Sequence, residues 1–213
     1  MMSEPASPPT AYVVDDDESI RTLWRWLLES NGIATQTFAT AAQFIDCYRD
    51  GRGCLVLDLR LPGMSGLELQ EYLKRRGIEI PIVFVSAHGD IPAAVSAIKG
   101  GAVDFIQKPF SYREVLAIIA KALARDAGIR ETRARQALIA SRIAALTERE
   151  RDVLRRIIAG KPNKIIAGEL DISMKTVEFH RSKLMEKMGA DSVAALVQLT
   201  LGFSPVDALP PEG

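Results

Sequence analysis

The sequence predicts an α/β domain built on a doubly wound, five-stranded parallel sheet, followed by an all-α domain of four helices. Up to Phe110, short apolar segments alternate with amphipathic helical patterns, as in βα repeats whose helices cover both faces of a parallel sheet. Beyond Phe110 the strand pattern stops, and helical periodicity continues to about Leu201. The length of 213 residues is sufficient for two domains of this kind.

Helical patterns lie between the predicted strands of the first domain. In the first helix, Ile20, Trp24 and Leu27 recur at helical spacing, and two later helices are expected to end at Gly77 and Gly100. Five apolar segments are predicted to be buried parallel strands, at residues 11–14, 33–38, 54–57, 81–85 and 103–106.

The C-terminal half is predicted to be helical throughout. A helix is expected from Tyr112 to about Leu146, and its part at 125–142 is interpreted as a helical linker because charges interrupt the apolar stripe. A capping box, Thr147 followed by Glu150, marks the start of the second domain. Further helices are expected at 148–159, 163–170, 174–188 and 192–201. The predicted domains are 10–124 and 143–207.

Composition excludes several classes of protein. Hydrophobic residues make up 47% and charged residues 25%, which rules out a mostly disordered chain, a collagen-like repeat and a disulfide scaffold. The N-terminal segment lacks the features of a signal peptide, and no apolar run of about 18 residues occurs, so a cytoplasmic protein is expected. The first ten residues and the Pro-rich tail at 203–213 are expected to be disordered. Cys47 and Cys54 are predicted to be reduced and buried.

The net charge of the whole chain is zero, but the charges are unevenly distributed. Residues 1–125 carry 13 basic and 15 acidic side chains, whereas residues 128–190 carry 14 basic and 8 acidic ones. The basic excess of the C-terminal part has the sign expected of a domain that contacts phosphate backbones.

Chemically active side chains follow the predicted strands. Asp15 and Asp16 follow the first strand, Asp58 the third, Ser86 the fourth and Lys108 the fifth. Ligands of a doubly wound sheet bind beyond the carboxyl ends of its strands, so these groups are expected to converge. Converging carboxylates repel one another unless a cation binds, and oxygen ligands favour Mg²⁺. A carboxylate nucleophile, a metal, a lysine and a hydroxyl together suit phosphoryl transfer to Asp58.

Each of these features alone has a simpler interpretation. An acidic cluster after a strand is often only a solvated helix N-terminus, and a lone aspartate or a Lys-Pro pair says little. Their occurrence in this order at one edge of one sheet favours a functional site.

Three segments resemble the receiver domain of two-component response regulators: VVDDD at 13–17, LDLRLPGMSG at 57–66 and AVDFIQKPF at 102–110. The segment VFVSAHGDIP at 83–92 is similar to the FixJ branch in particular, and the resemblance covers about 10–124. It implies a CheY-like fold in which a sensor histidine kinase phosphorylates Asp58. It further implies that Mg²⁺ binds Asp15, Asp16, Asp58 and the backbone carbonyl of Arg60, and that Lys108 precedes a cis peptide bond.

The same resemblance places a switch pair at Ser86 and Phe105. A phosphoryl group adds about 1.5–2 negative charges. Ser86 would be drawn toward its oxygens, and the Phe105 ring would turn into the vacated space, a two-state packing change. Ser86 stands where the family more often has threonine, and Phe105 where it more often has tyrosine.

The C-terminal helices resemble a LuxR-type DNA-binding domain. The predicted helices at 163–170 and 174–188, joined by a tight turn, have the form of a helix-turn-helix. The segments LTERE at 146–150, GKPNKIIA at 160–167 and TVEFHRSKLMEKM at 176–188 carry the resemblance. It implies phosphate contacts from Lys164, Lys175, Thr176, His180 and Lys187, base-edge contacts from Glu178, Phe179 and Ser182, and either role for Arg181 and Lys183.

The two resemblances imply a transcriptional response regulator. Phosphorylation would promote a homodimer that binds promoter DNA, with RNA polymerase as a possible partner, no membrane contact and no enzymatic activity beyond self-phosphorylation and slow self-dephosphorylation. An alternative is a phosphorylation-independent DNA-binding regulator whose receiver is a docking module. A stand-alone phosphohydrolase is disfavoured because Arg60 stands where a second general acid would be needed. Kinase recognition is expected around the first helix, including Arg21, Arg25 and Trp26.

Overall fold

A computed structural model describes residues 8–87 and 91–200 of the chain. The chain divides into two compact units, Met1–Arg130 and Glu131–Gly213. The expectations for the N-terminal lead-in, for the Pro-rich tail and for the part of the 83–92 segment around His88 lie wholly or largely outside the described residues.

The first unit contains a five-stranded parallel sheet. In chain order the strands are β1 (Thr10–Val14), β2 (Ala34–Phe38), β3 (Gly53–Asp58), β4 (Ile82–Ser86) and β5 (Asp104–Gln107). Their order in the sheet is β2-β1-β3-β4-β5, with every neighbouring pair parallel. The prediction of a doubly wound parallel sheet is confirmed, although individual strand ends differ by a residue.

Strand β2 differs from the prediction that all five strands are buried. It lies at the edge of the sheet, and its side chains alternate between exposed and half-buried until Phe38. An edge strand has a neighbour on one side only, and here that position leaves one row of side chains in water. The three central strands β1, β3 and β4 are almost wholly buried, as predicted.

Helices α1 (Glu18–Glu29), α2 (Ala41–Cys47), α3 (Gly66–Arg75) and α4 (Ile91–Lys99) connect these strands. Helix α2 was not predicted, because its two buried residues are too few to make a recognisable stripe. The side chain of Thr40 caps it, and a capping box of Ser65 and Glu68 begins α3.

Two hydrophobic cores cover the two faces of the sheet. Leu55 and Leu57 belong to one, whereas Cys54 and Val56 belong to the other, as the alternation along a strand requires. Both cysteines are free thiols, and burial raises the pKa of Cys54 to about 12. Cys47 is exposed, so the prediction that both cysteines are buried is wrong for that residue.

Helix α5 (Tyr112–Ala144) is continuous through the stretch interpreted as a linker. The division between the two units falls within this helix, after Arg130. Asp126, only 2% exposed, accepts hydrogen bonds from the Gly53 amide at 2.9 Å and from Arg130 Nε at 3.0 Å. The early part of the stretch is therefore bonded to the sheet of the first unit.

The second unit contains helices α6 (Glu148–Ile158), α7 (Asn163–Leu170), α8 (Met174–Met188) and α9 (Val193–Thr200). Its core includes Leu154, Ile166, Val177 and Leu184. The predicted capping box at the start of α6 is present. None of the helices in the described residues is both long and apolar enough to cross a membrane.

Candidate phosphoryl-transfer site and nucleic-acid interface

Three carboxylates meet at the carboxyl edge of the sheet. One oxygen from each of Asp15, Asp16 and Asp58 lies within 4.8 Å of the others. Opposite ligands of an octahedral Mg²⁺ lie about 4.2 Å apart, so the spacing of these oxygens is close to what one ion requires. The donor atoms are all oxygens, the ligands that Mg²⁺ prefers. These residues fit a magnesium site.

Lys108 connects the two less exposed carboxylates of this site. Its Nζ lies 2.9 Å from Asp15 Oδ2 and 3.1 Å from Asp58 Oδ2. Burial raises the pKa of Asp15, against the lowering effect of Lys108. Burial alone would lower the pKa of Lys108, but the Asp15 and Asp58 carboxylates raise it above its usual value, so Lys108 carries a full positive charge. A divalent cation would further relieve the crowding of these carboxylates.

Backbone amides fix the orientation of these carboxylates. Asp15 Oδ1 accepts a hydrogen bond from the Asp17 amide at 3.0 Å, and Asp58 Oδ1 accepts one from the Arg60 amide at 3.1 Å. Asp17 itself caps helix α1, and the amide of Ser19 lowers the pKa of its carboxyl group. The role of the Arg60 backbone carbonyl as a further metal ligand stays a prediction.

The expected switch residues lie on neighbouring strands, Ser86 at the end of β4 and Phe105 in β5. Ser86 is buried, and its backbone carbonyl accepts a hydrogen bond from the Lys108 amide at 2.8 Å. Phe105 is half-buried and stacks on Phe84, with ring centroids 6.4 Å apart. The Lys108-Pro109 peptide bond is cis, as the resemblance implies.

Two residues that support the site were not identified as such from the sequence. Arg21, which was assigned to kinase recognition, donates from Nη1 to the backbone carbonyl of Asp15 at 2.8 Å. A Cβ atom on Gly66 would lie 2.3 Å from the carbonyl oxygen of Asp58, so only glycine fits there. The sequence carries no signal for the Arg21 bond, because its acceptor is a backbone carbonyl rather than a side chain.

Helix α8 presents a mixed polar and aromatic surface. Phe179 is 60% exposed on it and lies edge-on to His180, with ring centroids 5.7 Å apart. Lys175, Glu178 and Ser182 are also exposed, as is Lys164 on α7. The N-terminus of α8 is capped by Ser173, whose hydroxyl accepts from the Thr176 amide at 3.0 Å.

Other residues assigned to DNA contact already have partners within the second unit. Arg181 Nη1 donates to Asn163 Oδ1 at 2.9 Å, and Lys183 pairs with Glu186. Lys187 Nζ lies 2.7 Å from Glu150 Oε2. Thr176 and His180 are half-buried. The geometry therefore divides the predicted DNA-binding set into freely presented side chains and side chains that also stabilise the fold.

Comparison with known proteins agrees with this architecture. Residues 11–120 match the response regulator receiver domain, and residues 144–200 match the bacterial regulatory proteins of the luxR family. The chain is 41% identical over 210 residues to the transcriptional regulatory protein FixJ of Azorhizobium caulinodans, covering 97% of this chain and 99% of that protein. It is 43% identical over 200 residues to the response regulator protein TodT of Pseudomonas putida, covering 93% and 87% of the two chains.

Solved structures extend the comparison. The response regulator StyR superposes with a TM-score of 0.85 at 45% identity, covering 92% of this chain and 100% of that one. Full-length FixJ from B. japonicum gives a TM-score of 0.56 at 40% identity, covering 91% and 96%. The chain belongs to the family of two-component response regulators. Within it, this protein joins a receiver domain to a LuxR-type DNA-binding domain.

Proposed function

We propose that Asp58 accepts a phosphoryl group from a sensor histidine kinase and that this modification controls dimerisation and DNA binding. The supporting observation is the convergence of Asp15, Asp16 and Asp58 at the edge of the sheet where ligands of this fold bind, with the Lys108 ammonium group paired to Asp15 and Asp58. The site is expected to act in the cytoplasm, where both the kinase's phosphohistidine and promoter DNA are accessible.

In the proposed reaction, an Asp58 carboxylate oxygen attacks the phosphorus atom. An oxygen–phosphorus bond forms, and the bond from phosphorus to the kinase's histidine nitrogen breaks, with the electron pair remaining on that nitrogen. Bound at the three aspartates, Mg²⁺ supplies charge neutralisation at the transferred oxygens. Lys108 is within reach of Asp58 and can pair with a phosphoryl oxygen once its present ion pair is exchanged. Small phosphodonors would react in the same way, and hydrolysis would slowly restore Asp58.

The phosphoryl group would act on Ser86 and Phe105. The Ser86 hydroxyl would move toward its oxygens, and the Phe105 ring would leave its stack on Phe84 to fill the space. Helix α4 contacts strand β5, which carries this ring, and its exposed Ile91 and Val95 supply apolar surface for a homodimer.

A dimer would place two α8 helices on a two-fold promoter site, with half-site centres about one helical turn, or 34–36 Å, apart. Glu178, Phe179 and Ser182 would face base edges, while Lys164 and Lys175 would contact phosphates. RNA polymerase is a further expected partner at the promoter.

The test is the intact mass of the protein after incubation with acetyl phosphate and Mg²⁺, beside Asp58→Asn. We expect one added phosphoryl group in the native chain and none in the variant or without Mg²⁺. Sedimentation and DNA binding are then measured on the same samples. Phosphorylation without any change in self-association or DNA affinity would refute the proposed control and favour the docking-module alternative. No phosphorylation under any condition would refute the chemistry itself.

A further inference from the structure

Arg21 is a cation close to the N-terminus of helix α1. It lies in the first turn, where the helix N-terminus carries partial positive charge and disfavours cations. The neighbouring Asp17 and Glu18 are the residue types that this position favours. Arg21 is half-buried, and its guanidinium group donates to the carbonyl oxygen of Asp15 at 2.8 Å. This contact accounts for a cation at a place where the helix alone would select against one.

The Asp15 carbonyl needs such a partner because of its place in the chain. Strand β1 ends at Val14, so its regular pairing with β2 and β3 stops one residue before Asp15. The amide of Asp15 still donates to the Phe38 carbonyl at 3.2 Å, and its side chain is held by Asp17 and Lys108. Arg21 supplies the remaining contact, on the carbonyl side of the same residue.

That carbonyl belongs to the peptide bond between two proposed magnesium ligands. The peptide group is planar, so a hydrogen bond that fixes the Asp15 carbonyl also fixes the positions of the Asp16 nitrogen and Cα atoms. Asp16 is the exposed member of the three proposed ligands, whereas Asp15 is buried and Asp58 is half-buried. The direction of Asp16 relative to Asp15 therefore depends on the backbone that Arg21 holds.

We propose that Arg21 is a positioning residue for the magnesium site, which it serves by holding the Asp15–Asp16 peptide. This inference rests on the proposed phosphotransfer function. It differs from the interpretation of Arg21 as part of the kinase-recognition surface, because positioning acts whatever the phosphodonor is. It also differs from a purely electrostatic role, since a nearby positive charge alone would weaken the binding of a cation.

The experiment uses the full chain and three variants. Arg21→Met keeps the apolar stem but removes the donor, and Arg21→Lys keeps a donor and the charge. Arg25→Met is the matched control, because Arg25 lies one turn later in α1, is exposed and bonds to Thr37 rather than to the site. The rate of phosphorylation by acetyl phosphate is measured against Mg²⁺ concentration. Binding of Mn²⁺, an ion that takes the same oxygen ligands, is measured separately by electron paramagnetic resonance.

Arg21→Met is expected to raise the half-saturating Mg²⁺ concentration and the Mn²⁺ dissociation constant about tenfold, the effect of one charge-assisted hydrogen bond. The rate at saturating Mg²⁺ should recover to near the native value. Arg21→Lys should restore most of the affinity, and Arg25→Met should change neither quantity.

Three results would overturn the inference. One is unchanged or tighter metal binding in Arg21→Met. Another is an Arg21→Met variant that is slow with the kinase but normal with acetyl phosphate, which would return Arg21 to kinase recognition. The third is an Arg21→Lys variant as weak as Arg21→Met. Failure of the proposed function is recognised separately, since the native chain would then take up no phosphoryl group at all.

Discussion

The substitution Asp126→Asn tests how strongly helix α5 is bonded to the receiver sheet. The carboxylate of Asp126, with its side chain 4% exposed, accepts the Gly53 amide at 2.9 Å and Arg130 Nε at 3.0 Å. Arg130 continues the network to the carbonyl of Gly51 at 2.7 Å and to Asp50 at 3.3 Å. Asparagine keeps the size of the side chain but removes its charge and turns an NH₂ group toward one of two donors.

Removing one partner of a buried ion pair costs about 3–5 kcal/mol, because the other charge is left uncompensated. Arg130 is 24% exposed and keeps two other acceptors, so we expect a value near the lower limit, about 3 kcal/mol. For a unit of this size that corresponds to a fall in the melting temperature of about 10 °C. Both tryptophans, Trp24 and Trp26, lie in the first unit, so tryptophan fluorescence in urea reports the unfolding of the receiver.

Asp50→Asn is the matched control, because Asp50 pairs with the same Arg130 but its side chain is 64% exposed. Its backbone has φ of 56°, which asparagine tolerates, so the substitution adds no strain. A surface pair contributes about 0–1 kcal/mol, and the control should lose no more than that. Equal losses in Asp126→Asn and Asp50→Asn would refute the argument that burial makes the Asp126 bond strong.

Three further predictions follow from particular contacts. Burial alone would raise the pKa of Glu150, but its partner Lys187 and the Thr147 amide lower it below the usual 4.5. The ionised Glu150 carboxylate therefore stabilises the folded second unit above about pH 4.5, and this contribution is lost as the pH falls through the lowered pKa. The difference in urea midpoint between the native chain and Glu150→Gln should accordingly narrow in acid, and a pH-independent difference would contradict this. Gly66→Ala should destabilise the receiver by about 1–3 kcal/mol and slow the phosphorylation of Asp58 by acetyl phosphate, because the new methyl group would clash with the Asp58 carbonyl. An unchanged melting temperature and phosphorylation rate would contradict this prediction. On promoter DNA, Lys164→Ala should reduce the slope of log affinity against log salt concentration by about one per protomer, because it removes a phosphate contact. Phe179→Ala should weaken specific binding without changing that slope. The reverse pattern would assign the phosphate contact to Phe179 and the base contact to Lys164, and would refute the proposed roles.

The location of the acidic site could be predicted from the sequence because it depends on topology. Residues that follow parallel strands must meet at one edge of the sheet, so the sequence predicts that Asp15, Asp58 and Lys108 lie close together. The helix-turn-helix was equally accessible, since the caps at Thr147 and Ser173 are local signals that precede apolar periodicity. The short helix α2 was missed because two buried residues do not form a periodic pattern.

The sequence by itself determined the βα alternation of the first unit, the helical character of the second, and the meeting of Asp15, Asp58 and Lys108 at one edge of the sheet. These depend on periodicity, capping and strand order, which act over short distances along the chain or follow from topology. Only the tertiary structure decided which charges have partners: Arg21 at the Asp15 carbonyl, Asp126 at the Gly53 amide, 73 residues away, and Lys187 at Glu150. The physical reason is that burial and partnership depend on neighbours distant in sequence, and a charged residue looks the same in the sequence whether it faces water or completes a buried ion pair.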